Sequence, residues 1–360
     1  MDFSPADFAS AFPSDRTPSD FDAKEESDHV ALLLAGPLKE ALAPYREPRP
    51  EGAGGSGLVF SAIYTPYGTR RAIKIPRKRV LHGAMDEPIP EIDPELHALS
   101  KVSHSNITRL YESHPLSEKK RGHCVVTEYV ESPQSLSTFA RELCCDEKSL
   151  HDHESRDRAI RRLAHALYEV VEALIYMHET ANLLHFDIKP DNILVSKSGR
   201  PYVTDLGFAR DVSRHRSEEA VQVGFTWKYA HPDLTDPHAG ARVSRTAAKS
   251  KNTIAGRDLL PCFDLFAFGR TVQETLKAVE TEHGEGVYSS YEFNYLHILA
   301  CLCLDGHNAA NGHANGKRSF LSDQALGMPT ALSKPTASLR FLASERRSKD
   351  YLAIAASRTR

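Results

Sequence analysis

Apolar positions fall in short clusters whose spacing changes partway along the chain. Residues 1 to 28 are rich in Ser, Asp and Pro with scattered Phe, show neither a helical nor a strand period, and read as a disordered arm. An apolar run from Val30 leads to Leu38, Leu42 and Tyr45, and the Pro-rich stretch Pro44 to Pro50 then interrupts any helix. Leu58 to Tyr64 and Ala72 to Ile75 flank a turn at Pro66, Tyr67 and Gly68, a pattern that predicts a β-hairpin or meander. Glu95, Leu96 and Leu99 mark a helix, and Ile107 to Tyr111 and Cys124 to Tyr129 two more strands. After Pro133 the period lengthens. Leu163, Leu167, Val170, Val171, Leu174 and Met177 recur at three- and four-residue spacing, which predicts one long amphipathic helix over Arg158 to His178. Ile193 to Val195 and Tyr202 to Thr204 predict a hairpin through Ser198-Gly199, and residues 306 to 317 a glycine-rich loop.

Composition narrows the function classes. The 360 residues are 41% apolar, enough for a substantial core, and Lys+Arg 45 against Asp+Glu 48 excludes a nucleic-acid-coating protein. The longest apolar stretches, Val30 to Leu34 and Leu296 to Leu304, fall short of the roughly 18 residues of a membrane span. Residues 1 to 28 hold eight acids and two bases, unlike a secretory leader. The expectation is a soluble, cytoplasmic protein whose six cysteines, lacking Cys-x-x-Cys spacing, are reduced thiols. His151 and His153 around Asp152 read as a solvated helix cap rather than a metal site.

Candidate chemistry begins at Gly52-Ala53-Gly54-Gly55-Ser56-Gly57, which fits G-x-G-x-x-G. Glycines let a backbone approach phosphate oxygens, although a flexible linker produces the same run. The following segment, Leu58 to Tyr64, reads as a strand where a dinucleotide turn would open a helix, so the glycines suit a hairpin lid over phosphates. Lys74 ends the next apolar strand, where it could reach phosphates under that lid. A carboxylate must hold it extended; Glu95 is the candidate and Glu91 the alternative.

The richest stretch is His185-Phe186-Asp187-Ile188-Lys189-Pro190-Asp191-Asn192, followed by Asp205-Leu206-Gly207. The hairpin between them would bring Asn192 and Asp205 together, and two oxygen ligands beside a triphosphate suit Mg²⁺. Asp187, five residues before Asn192, could orient a substrate hydroxyl and accept its proton, with Lys189 offsetting charge on the transferring phosphate.

Taken together, these motifs resemble the eukaryotic-type protein kinases from residue 46 to about 280. The resemblance implies that Gly52, Gly54 and Gly57, with Val59 and Ala72, enclose ATP, that Lys74 pairs with Glu95, that Asp187 is catalytic, and that Asn192 and Asp205 hold magnesium. Glu95 lies nine residues before His104-Ser105-Asn106-Ile107, similar to the family's H-x-N-I sequence. Thr127-Glu128-Tyr129-Val130 resembles the gatekeeper and hinge, whose Glu128 and Val130 backbone groups would bind adenine. Thr226 to Asp233 resembles the end of an activation segment, and Asp264 to Gly269 the start of the F helix.

The chain departs from the family in several places. Phe186 stands where many members carry Arg, and Leu206 where Phe is usual. Asp233 replaces a longer Glu, with Arg318 the one partner on offer. Thirty residues separate Asp233 from Asp264, about twice the family's interval, and Ala239 to Arg257 holds five basic residues and no acid. That insertion reads as a solvated surface loop, with recruitment of an acidic partner as the alternative.

The expected fold is therefore α+β and bilobal, protein-kinase-like, with a small β-rich N-lobe carrying one helix and a larger, mainly helical C-lobe. Residues 1–45 would be an acidic, partly disordered extension, 46–131 the N-lobe and hinge, 132–330 the C-lobe with an insertion around 234–260, and 331–360 a basic tail. The implied activity is ATP- and Mg²⁺-dependent phosphorylation of Ser/Thr in protein substrates, with no nucleic-acid partner, since Lys189 and the Lys-Pro-x-Asn continuation resemble the Ser/Thr pattern. A nucleotide-binding pseudokinase is the alternative, opposed by the presence of Lys74, Asp187 and Asp205. Phenylalanine at 186 cannot pair with a phosphate on Ser213 or Ser217, so activity independent of that phosphate is expected, although Arg210, Arg214 and Arg216 lie nearby.

Overall fold

Strands of period two dominate the described residues from Tyr45 to Glu128. In a computed structural model describing residues 30–53, 57–76, 93–116, 122–145, 153–235, 244–246 and 251–283, the chain divides into two units. One comprises Met1–Ser103 with Thr108–Glu131, the other His104–Ile107 with Ser132–Arg360.

The first unit holds an antiparallel sheet of β1 (Tyr45–Ala53), β2 (Gly57–Tyr64), β3 (Thr69–Pro76), β4 (Leu110–Pro115) and β5 (His123–Glu128), ordered β1-β2-β3-β5-β4. Residues directly opposite in such a pairing share a face. Leu58 stands opposite Ile75, and Phe60 opposite Ile73, which in turn faces Val126; these five residues are buried on one side. Val59 stands opposite Lys74, and Ser61 opposite Ala72, which faces Thr127, on the other side. Thr65–Gly68 turns the chain between β2 and β3, with Gly68 at φ 65°.

The described part of the N-terminal extension belongs to this unit. Residues 30–35 are helical, and Val30, Leu33, Leu38, Leu42 and Tyr45 join the cluster of Leu58, Phe60, Ile73, Ile75 and Val126. At the edge of that cluster Arg71 is buried, 2.5 Å from Glu112 and stacked 3.8 Å from the Tyr64 ring centroid. Helix α1 (Pro94–Lys101) completes the unit. The Asp93 side chain caps it by accepting hydrogen bonds from the Glu95 and Leu96 N–H groups, and Pro94 occupies the first turn, where no N–H is needed.

In the second unit, α2 (Leu136–Cys145), α3 (His153–Glu179) and α5 (Cys262–His283) are the long helices, and the short α4 spans Pro232–Thr235. Leu163, Leu167, Val170, Val171, Leu174 and Met177 of α3 are all buried. Short strands cross this unit: β6 (Gln134–Ser135), β8 (Ile193–Val195) and β9 (Pro201–Val203) form one sheet, and β7 (Leu183–Leu184) pairs with β10 (Arg210–Asp211). Ile107, expected within a strand of the first sheet, instead bridges Val203 in this unit, and Asn106 bonds the Pro201 carbonyl at 3.0 Å.

The expectation of a solvated loop before α5 needs correction. Residues 244–246 (β12) and 251–255 (β13) are strands, and β13 pairs with β11 (Ala220–Val223) in the order β11-β13-β12. One buried Ile254 among basic and small residues is too weak a signal for a strand; the pairing partner supplies the rest. Gly54, the His151 and His153 side chains, Arg318 and residues 331–360 lie outside the described set. Among the described residues no helix is long and apolar enough to cross a membrane.

Truncating Leu38 tests the role of the N-terminal segment. Its side chain is fully buried, so Leu38→Ala should cost about 2 to 5 kcal/mol. Urea unfolding of the variant against wild type checks the value, and a change below about 0.5 kcal/mol would remove this segment from the core.

Candidate active site

On the sheet unit, Lys74 lies on β3 with neighbours Ile73 and Ile75 buried on the opposite face, so period two turns its side chain toward the Val59 side. Its Nζ is 2.7 Å from Glu95 Oε1. The cap at Asp93 fixes the start of α1 and with it the position of Glu95 in the first turn. Gly57 opens β2 close to the same lysine: a Cβ there would lie 2.9 Å from the Ile75 carbonyl and 3.1 Å from Lys74 Cγ. Gly52 is exposed on β1, while Val59, Ala72 and Thr127 share the face of Lys74. The Glu128 N–H donates to the Arg109 carbonyl at 2.8 Å, so of the expected hinge donors it is already committed. Val130 is buried just beyond.

On the helical unit, the loop from His185 to Asn192 is shaped by a buried carboxylate. Asp264, at the start of α5, accepts the N–H of His185 through Oδ2 and that of Phe186 through Oδ1, each at 2.7 Å. His178 Nε2 bonds the same Oδ2 at 2.8 Å. This arrangement holds Phe186 at φ 65°, a left-handed conformation that a bulky residue adopts only under such constraint. Burial alone would raise the Asp264 pKa. The hydrogen bond and charge of His178, with the field and N–H of His185, outweigh it and hold the carboxyl below the ordinary range.

Asp187 follows, almost fully buried. Its Oδ1 accepts from the Thr226 N–H at 3.0 Å and hydroxyl at 2.6 Å; its Oδ2 accepts from Lys189 Nζ at 2.7 Å and Asn192 Nδ2 at 2.9 Å. Lys189 Nζ also reaches Thr226 Oγ1 at 2.9 Å. Asp187, Lys189, Asn192 and Thr226 thus form one hydrogen-bonded group.

The hairpin β8–β9 ties this loop to Asp205. Ile193 pairs with Val203, Gly199 turns at φ 89°, and Thr204 donates its N–H to the Asn192 carbonyl at 2.9 Å. His185 makes a second link: its Nδ1 accepts the Asp187 N–H, so Nε2 carries the proton donated to the Thr204 carbonyl at 3.0 Å. Asp205 itself is left-handed, at φ 58°.

Chemically, the sheet unit offers an ammonium held by a carboxylate, and the helical unit a buried carboxylate bonded to a hydroxyl and a second ammonium. Among the described residues, no three His, Cys, Asp or Glu side chains gather to hold a metal by themselves. An Asp and an Asn leave most of a coordination sphere to phosphates and water, the arrangement Mg²⁺ prefers, so the donor set fits that ion. Sequence reasoning did not find the Asp93 cap, the contact of Thr226 with Asp187, or the grip of Asp264 and His178 on the loop. Asp-Pro at a helix start was a readable signal for the first; the other two are tertiary contacts.

The sheet unit thus carries a strand lysine held by a helix carboxylate, and the helical unit a buried loop carboxylate held among Lys189, Asn192 and Thr226. The family model of the protein kinase domain matches residues 45–247, and the chain belongs to that family. It is 31% identical to calmodulin-binding receptor-like cytoplasmic kinase 1 of Arabidopsis thaliana, over 56% of this chain and 40% of the relative. It is 29% identical to CBL-interacting protein kinase 25 of Oryza sativa subsp. japonica, over 48% of this chain and 30% of that protein. Against serine/threonine-protein kinase TIO of Arabidopsis thaliana the identity is 32%, over 45% and 11%. Of three receptor-type kinases from Arabidopsis thaliana it spans only 30%, 39% and 26% of the length.

Replacing Asp264 tests the buried carboxylate. Asp264→Asn should cost about 3 to 5 kcal/mol near neutral pH, because it removes one partner of a buried charged network. The folded-state pKa lies below the unfolded value of about 3.9, so this contribution is present above about pH 4 and lost as pH falls through the folded-state value. Urea unfolding at successive pH values should show the gap between wild type and variant narrowing below about pH 4. A gap constant with pH would contradict the assignment.

Proposed function

We propose that this protein is an active serine/threonine kinase that transfers the γ-phosphoryl group of ATP to hydroxyls of protein substrates. The observation that carries this reading is the Thr226 hydroxyl, 2.6 Å from Asp187 Oδ1 and 2.9 Å from Lys189 Nζ. A hydroxyl therefore fits between the acceptor carboxylate and a cation, which is what an incoming Ser or Thr side chain requires. In this reading Asp187 orients the substrate hydroxyl and takes its proton. Lys189 stabilises charge on the transferring group, and Thr226 steadies both side chains.

Lys74, held by Glu95, binds the nucleotide phosphates, and Gly52, Gly54 and Gly57 lay backbone over them. Val59, Ala72 and Thr127, on the face of Lys74, line the adenine side, where the Val130 backbone and the Glu128 carbonyl take the ring. Asn192 and Asp205 hold magnesium, which when bound supplies positive charge against the phosphate oxygens. Positioning and charge stabilisation provide most of the acceleration in this chemistry, so each group should matter severally. The names of two relatives, a serine/threonine-protein kinase and a receptor-like cytoplasmic kinase, support the substrate class and a cytoplasmic site of action.

Initial rates with Mg²⁺, ATP and generic protein substrates test the proposal. Asp187→Asn and Lys74→Met should each lower turnover by about 10² to 10⁴ while remaining folded. A folded Asp187→Asn protein with wild-type turnover would reject the role of Asp187. Nucleotide binding is measured separately: Mg²⁺·ATP at about 100 times Kd should stabilise wild type by about 2.7 kcal/mol. Stabilisation without transfer to any acceptor would mark the chain as a pseudokinase.

A further inference from the structure

The reading above needs Thr226 held against Asp187, and the segment that carries Thr226 runs beside a strand outside the motifs that define the site. Ala220 to Val223 pair in antiparallel register with Ala255 to Asn252, Val221 standing opposite Ile254 and Gln222 opposite Thr253. The pairing continues past the strand ends, where Gly256 N–H donates to the Glu219 carbonyl and Arg257 N–H to the Ser217 carbonyl, each at 2.9 Å. Arg257 also forms an ion pair with Glu218. The approach is close enough that a Cβ on Gly256 would lie 2.2 Å from the Arg216 carbonyl oxygen.

Beneath this ribbon lies an apolar cluster of Leu184, Phe186, Val221, Val223, Leu234, Ile254, Leu259 and Phe263. Phe186 is the residue before Asp187, and its ring packs 5.7 Å from that of Phe263. Val221 and Val223 lie just before Thr226, and Ile254 comes from the insertion. One cluster therefore joins the loop of Asp187, the segment of Thr226 and the inserted strand. The Arg210 guanidinium is engaged by backbone carbonyls: Nε bonds Gln222 O at 2.6 Å, and Nη1 bonds Phe208 O and Ala209 O.

We propose that Ile254 and Gly256 are positioning residues for phosphoryl transfer. The inserted strand clamps residues 216–223 by backbone pairing, and burial of Ile254 in the cluster that holds Phe186 and Val221 does by apolar packing what an arginine and a phosphorylated side chain would do by charge. The segment is then ordered, and Thr226 presented to Asp187, without modification of Ser213 or Ser217. This rests on the reading of Asp187 and Thr226 given above, but the clamp itself can be measured apart from it.

The experiment compares phosphatase-treated full-length wild type with Ile254→Asn, Gly256→Val and Ser213→Ala/Ser217→Ala. Two readouts are taken: amide hydrogen exchange of residues 217–226, and steady-state kinetics with Mg²⁺·ATP and a protein substrate. In wild type the amides of 220–223 should be protected after phosphatase treatment, and activity should stay within about threefold of the untreated protein, as should the double serine variant. Ile254→Asn and Gly256→Val should each speed exchange across 217–226 by about tenfold or more. Their kcat/KM for the protein substrate should fall by at least about tenfold, with the KM for ATP moved less than about twofold.

Exchange unaltered in both variants overturns the clamp. So does a loss of more than about tenfold on phosphatase treatment, because a phosphate would then be the ordering element. Melting curves accompany each variant, and global unfolding of both also contradicts the proposal, since the strand would then be core rather than support for one segment. If wild type transfers no phosphate, the exchange readout still decides the clamp, while the kinetic readout alone decides the function proposed above.

Discussion

The loop that carries Asp187 depends on a single buried carboxylate. Asp264 collects the N–H groups of His185 and Phe186 and the ring of His178. A left-handed phenylalanine costs on the order of 1 to 3 kcal/mol, and two charge-assisted hydrogen bonds on flanking amides are of a size to offset it. The consequence for chemistry is directional. With the backbone reversed at Phe186, that ring turns into the apolar cluster with Phe263 and Val221. The next side chain, Asp187, meets Lys189, Asn192 and Thr226. His185 carries the same constraint across to Thr204, adjoining Asp205.

The sheet unit solves a parallel problem by alternation. Ile73 and Ile75 must be buried for β3 to hold, and burying them commits Lys74 to the other face. The N-terminal segment from Val30 to Tyr45 covers the apolar face, so the face of Lys74, Ala72 and Val59 is left for the nucleotide in the function proposed. A cap at Asp93 then aims Glu95 at the lysine. Core packing and ligand chemistry are thus separated by the pleat of one strand.

Much of this was legible in the sequence because the signals are local. The hairpin from Ile193 to Val203 is announced by two short apolar runs around Ser198-Gly199, and α3 by its three- and four-residue spacing. The protein-kinase fold was readable from motif order, which does not depend on packing. What escaped reading was set by partners distant in sequence. Strand β13 has one large apolar residue and reads as a basic surface loop until β11 pairs with it. Residues 36–44 form irregular turns in which Leu38 and Leu42 are buried without any sustained period. Ile107 sits in an apolar run that resembles a strand, yet Asn106 and Val203 claim it for the other unit.

In the function proposed, a carboxylate presents a Ser or Thr hydroxyl to ATP, and the identity of the phosphorylated residue tests that most directly. Wild-type protein would be incubated with Mg²⁺ and γ-labelled ATP in the presence of mixed protein substrates, and the labelled proteins hydrolysed for phospho-amino-acid analysis. Label in phosphoserine and phosphothreonine, abolished together in Asp187→Asn, is the result predicted. Label confined to phosphotyrosine, or phosphoserine formed equally by Asp187→Asn, would contradict it.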